Sequence, residues 1–134
     1  MKEIKISAVF GKKSEIKGKP EFPILSLTDG EEEWYLMPFR SYCMSINTSE
    51  NGDGFECAST RPIMMNVFDN MPDLVKAEWL RTAAATCIYE FCHGQNAIFT
   101  DKTKFDWTPD TAFREFVKAS FKYIWPNAEW PYID

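Results

Sequence analysis

Histidine occurs once in these 134 residues, as His93, and cysteine four times, in positions that make no CxxC pair. Such sparseness excludes the ligand spacing of a structural zinc site and the cysteine framework of a small secreted scaffold. Glycine is also scarce. Gly11 and Gly18, and Gly52 and Gly54, fit neither GxxxxGK[ST] nor GxGxxG, so no phosphate-cradling loop is encoded. No stretch approaches the roughly 20 apolar residues that would span a bilayer, and residues 1–10 (MKEIKISAVF) lack the apolar core of a secretory signal. The expectation is a cytoplasmic protein with no membrane contact, no metal and no cofactor. In that compartment the glycosylation pattern Asn47-Thr48-Ser49 carries no meaning.

What the chain has in abundance is rings: 11 Phe, 5 Tyr and 5 Trp. A chain of this length buries roughly two-thirds of the surface its unfolded state exposes. One α+β domain over residues 1–134 is therefore expected to fold without a staple. The cysteines are Cys43, Cys57, Cys87 and Cys92. Cys43 and Cys57 flank a turn-rich segment, but hydrophobic matching sets Tyr42 opposite Cys57 and Met44 opposite Phe55. That register turns Cys43 to the other face, so four reduced thiols are expected.

The formal charge of −5 is unevenly spread. Residues 1–20 hold six lysines against Glu3 and Glu15; residues 21–73 hold ten acids against Arg40 and Arg61; residues 74–134 hold eight acids against seven cations. This asymmetry predicts an acidic face able to steer toward a basic partner, the alternative being that the acids only solvate loops and sheet edges.

Along the chain the hydrophobic period changes once. In the first half Ile4, Ile6, Ala8 and Phe10 alternate as in a half-buried strand; apolar runs follow at 22–27 and 34–39, separated by Thr28-Asp29-Gly30 turn chemistry. Residues 41–46 and 55–59 form a further strand pair around the exposed loop 47–54 (NTSENGDG). In the second half Leu80, Ala84, Cys87, Ile88 and Phe91 predict a helix over 72–92 that Gly94 stops. A second helix over 109–124 is predicted from Thr108 as N-cap, Pro109 and Asp110 in its first turn, and a core face of Phe113, Phe116, Val117, Ser120, Phe121 and Ile124. A short strand at 97–100 lies between the two. The tail 125–134 (WPNAEWPYID) contains two Trp-Pro steps and cannot continue a helix. Strands first and helices afterwards predict an antiparallel sheet covered on one face by the two helices.

Catalytic signals are weak. Cys92 and His93 are adjacent, but neighbouring helical residues diverge by about 100°, which is the wrong geometry for a nucleophile–base pair. His93 is expected instead to favour the negative end of the helix dipole. Asp53-Gly54 lacks the oxygen-ligand spacing of a calcium loop, and no carboxylate pair is singled out for hydrolysis.

The expected activity is therefore binding, with no catalytic residues. The leading reading is a stoichiometric inhibitor that covers a basic, nucleic-acid- or substrate-binding surface of a partner protein. Small size, acidity and absent catalytic motifs are the profile of immunity proteins and of phage-encoded antidefence proteins. The candidate partner-binding residues are Asp29, Glu31, Glu32, Glu33, Glu50, Asp53 and Glu56, with Trp130 and Tyr132 as aromatic anchors, which could equally belong to the core. The alternatives are a small enzyme of unrecognised type and a nucleic-acid-contacting accessory protein. The latter would use Lys12, Lys13, Lys17 and Lys19 with the stripe Arg114, Lys118 and Lys122, although a pI near 4.9 runs against it.

Overall fold

A computed structural model describes residues 2–10, 23–38, 42–47, 60–62, 70–94, 96–98, 107–108 and 110–133. The elements run β1 (Lys2–Glu3), β2 (Lys5–Phe10), β3 (Ile24–Thr28), β4 (Glu33–Met37), β5 (Tyr42–Asn47), β6 (Thr60–Pro62), α1 (Asp73–Gly94), β7 (Ala97–Ile98) and α2 (Ala112–Ile124). Strands β2 to β6 form a five-stranded antiparallel sheet in sequence order, and β1 pairs in parallel with β7 as a separate two-stranded ribbon.

The core follows from alternation on the central hairpin. Leu25 pairs with Leu36 and Leu27 with Trp34, and all four are buried on the face that meets the helices. α1 lies against β5 and β6, α2 lies against β2 and β3, and the helices pack on each other. Their buried faces supply Leu80, Ala84, Ile88 and Phe91 from α1 and Phe113, Phe116, Val117 and Phe121 from α2, joining the sheet in one cluster. Truncating a fully buried phenylalanine costs about 3–5 kcal/mol, so four such rings (91, 113, 116 and 121) contribute strongly to holding the layers together. On the other side of β3 and β4, Ile24, Ser26 and Met37 are buried, and Tyr123 of α2 packs against Ile24 and Met37.

Four details depart from the expected boundaries. A bulge falls between Ile6 and Ala8: Ile6 pairs with Leu27, but Val9 pairs with Leu25, so the parity of β2 changes at Ser7. β5 pairs with 60–62 instead of 55–59, setting Tyr42 opposite Pro62, where Cys57 was expected. Pro62 is tolerated because β6 is the edge of the sheet among the described residues and needs no outward N–H there. Residues 51–59, and the side chain of Cys43, lie outside the description; Cys87 and Cys92 are buried and in no disulfide.

α1 includes Gly94, and the left-handed residue after it is Asn96 (φ 52°), whose N–H donates to the His93 carbonyl at 3.1 Å. α2 begins one turn late. Thr111, not Thr108, is its N-cap, with the hydroxyl accepting the Arg114 N–H at 3.2 Å. Starting at either threonine leaves the same helical phase, so periodicity could not distinguish them.

Candidate functional site

The sequence-predicted acids that can be located sit on the turn between β3 and β4. Asp29 Oδ1 accepts the N–H groups of Glu31 and Glu32, both at 2.9 Å. The Thr28 hydroxyl accepts the Gly30 N–H at 3.0 Å and donates to the Glu32 carbonyl at 2.7 Å. Gly30 adopts φ 98°, a conformation that glycine reaches without steric penalty. Asp29 thus builds the turn with the carboxylate that was expected to face a partner. Glu31, Glu32 and Glu33 are exposed; Glu33 accepts from the Ser26 hydroxyl at 3.3 Å, whereas the carboxylates of Glu31 and Glu32 meet no side-chain partner among the described residues.

Strand registers place more of the chain at this end of the sheet. Asn47, where β5 ends, pairs with Tyr35, so β5 runs toward the acidic turn. Glu50, Asp53 and Glu56 come next in sequence and lie outside the described residues. Lys5, exposed and paired with Thr28, is a nearby cation among the described residues.

Trp130 and Tyr132 occupy a different region, half-buried against the main core. They close over Arg114 together with Trp107. The Arg114 guanidinium carbon lies 5.1 Å from the Trp107 ring, 5.7 Å from Trp130 and 5.5 Å from Tyr132. Its Nη2 donates to the Ile133 carbonyl at 2.9 Å, and its Nη1 to the Trp107 carbonyl at 3.5 Å. The Tyr132 hydroxyl donates to Glu78 Oε1; Arg81 bonds the other Glu78 oxygen at 3.3 Å and stacks 4.7 Å from the Trp107 centroid. Burial, and then the bond to the Glu78 carboxylate, hold the Tyr132 phenol well above its ordinary pKa.

Arg114 is only 3 % exposed, which corrects its assignment to a phosphate-facing stripe. Lys118 is half-buried and Lys122 exposed; Lys12, Lys13, Lys17 and Lys19 lie outside the described residues. Sequence did contain the signal for Arg114, because it precedes Val117 and Phe121 by three and seven residues and so borders the core stripe. Cys92 and His93 point apart, the thiol buried and the imidazole exposed at the end of α1. No group of three or more His, Cys, Asp or Glu side chains able to hold a metal occurs among the described residues, and no helix there is long and apolar enough to cross a membrane.

The chain matches no family model, and no curated protein or solved structure is similar to it.

A second feature escaped the sequence reading. Asp73 and Lys76, in the first turn of α1, form a cleft of about 450 Å³ with Trp125, Asn127 and Ala128 from the turn after α2. Lys76 is buried at 7 % exposure, its Nζ 3.4 Å from Asp73 Oδ1 and 5.8 Å from the Trp125 ring. Asp73 Oδ2 accepts the Glu129 N–H at 3.0 Å, which pins the tail to the start of α1.

Proposed function

We propose that this protein is a binding module without catalytic chemistry of its own, which occupies a basic surface on a partner protein and thereby blocks the nucleic acid or substrate held there. An inhibitor of the antidefence or immunity type, acting in the cytoplasm, fits this reading. One observation carries it: Glu31, Glu32 and Glu33 are presented to solvent on a turn whose backbone is fixed by Asp29 and Thr28. Preorganised like charges steer association more than they deepen affinity, because they act during diffusional approach. A short turn braced by four side-chain hydrogen bonds and one backbone bond loses little freedom on contact.

The test reverses the charge. With the partner recovered by pull-down from the native host and identified by mass spectrometry, Glu31→Lys, Glu32→Lys and Glu33→Lys together should slow association by about tenfold or more at low salt. The wild-type on-rate should fall as salt shortens the Debye length below about 8 Å. If nucleic acid is the ligand, the triple reversal should tighten binding and Lys118→Glu with Lys122→Glu should weaken it and flatten the salt dependence. That pattern, or an on-rate indifferent to the acidic turn, would overturn the proposal.

A further inference from the structure

We propose that the cleft between the start of α1 and the turn after α2 binds a small oxyanion, a carboxylate or a phosphate, with Lys76 as its anchor. The inference does not depend on the partner-binding reading, since the cleft is built from residues other than the acidic turn. It rests on an imbalance of donors over acceptors. The Lys76 side chain is 9 % exposed and its ammonium carries three N–H donors. Among the described residues it has one acceptor, Asp73 Oδ1, at a long 3.4 Å. Asp73 has little more to give, because its other oxygen is engaged by the Glu129 N–H. Trp125, 4 % exposed, lines the same cleft with its ring 5.8 Å from the ammonium, which supplies no acceptor oxygen.

A buried donor left unmade costs about 1–3 kcal/mol, so an arriving oxygen acceptor is rewarded here more than on open surface. The N-terminus of a 22-residue helix adds positive potential to the same wall. A cation would meet the Lys76 charge and a carboxylate already engaged on both oxygens. The volume, about 450 Å³, is ample for a small anion and falls in the range of small-molecule sites.

The experiment titrates the folded ¹⁵N-labelled protein separately with sodium acetate and sodium phosphate, at constant ionic strength made up with chloride. The Trp125 indole N–H and the Lys76 amide are followed by NMR. A saturable shift with half-saturation at about 1 mM or below is expected for at least one anion; acetate alone saturating identifies a carboxylate site, phosphate alone a phosphate site. Lys76→Met, which keeps most of the side-chain length but removes the donors, should weaken binding by about tenfold or more, whereas Lys122→Met should leave it unchanged. Asp73→Asn, which removes the competing charge, should tighten binding severalfold and keeps the test available if Lys76→Met does not fold. Non-saturating shifts with both anions would overturn the proposal, as would half-saturation unchanged in Lys76→Met or unimproved in Asp73→Asn.

Discussion

Replacing Arg114 with methionine tests whether the C-terminal segment is held by a buried cation. Methionine keeps the apolar stem and removes the guanidinium, so packing is largely preserved and the charge interactions are lost. A hydrogen bond from a charged donor is worth about 1.5–3 kcal/mol; the 2.9 Å bond to the Ile133 carbonyl falls in that class, while the 3.5 Å bond to Trp107 lies at the outer limit and adds little. Three ring faces at 5.1 to 5.7 Å contribute about 1–2 kcal/mol together in a desolvated site. Against this stands the cost of keeping a charge at 3 % exposure, which methionine relieves. The net expected loss is about 2–3 kcal/mol.

At about 2.1 cal/mol/K per residue, the unfolding entropy of the 134-residue chain converts that loss into a Tm lowered by about 7–11 °C. Urea unfolding followed by tryptophan fluorescence should show the midpoint falling at constant m. Lys122→Met, exposed on the same helix, should stay within about 0.5 kcal/mol of wild type. Deleting residues 130–134 removes two of the rings and the Ile133 carbonyl together. In that background Arg114→Met should cost less than half as much, a coupling of about 1 kcal/mol or more. An Arg114→Met protein within 0.5 kcal/mol of wild type, or costs that simply add, would refute the reasoning.

Tyr132 gives a pH test: folding raises its pKa, so its contribution is complete below the unfolded value of about 10 and is lost as pH rises beyond it. Melting curves should therefore show wild type losing its advantage over Tyr132→Phe above about pH 10, and a constant difference would contradict the assigned Glu78 bond. Thr111→Ala should destabilise by about 1 kcal/mol and Thr108→Ala by clearly less in chemical denaturation; the reverse order would return the cap to Thr108. A chelator with reductant should leave Tm unchanged, since Cys87 and Cys92 are in no disulfide and the core is large; a fall of more than about 5 °C, roughly 1 kcal/mol or more, would show a metal or disulfide dependence.

The architecture was legible where burial imposed a period. The apolar runs 22–27 and 34–39 marked the central strands, though not which of their side chains face the helices, and Phe113, Phe116, Val117 and Phe121 repeat at helical spacing. It was illegible where the choice is tertiary. The bulge at Ser7 exchanges Ala8 for Val9 in the pattern, both apolar, so nothing local marks it. The β5–β6 register has no short turn to fix it, and α1 packs across both strands. Within the candidate site, the turn chemistry of Thr28, Asp29 and Gly30 was readable from residue type. That the same Asp29 carboxylate would be consumed by the turn was not. Nor was the Asp73–Lys76 cleft, because Trp125 and Asn127 reach it from about 50 residues away in sequence.

Part of the aromatic content is gathered around Arg114. Trp107, Trp130 and Tyr132 enclose its guanidinium, and Phe113 and Phe121 extend the ring contacts from that enclosure into the core. All five tryptophans are buried or half-buried, so the residue type that most often anchors a protein interface is committed to the fold. On the described surface that leaves charge on the acidic turn and a few exposed apolar side chains, Met71, Leu74, Val75 and Tyr89 on and before α1 and Ile133 in the tail. Charge alone gives fast encounter and weak retention. A partner that touched only Glu31 to Glu33 would therefore arrive quickly and leave quickly, and durable inhibition would require contacts beyond the turn.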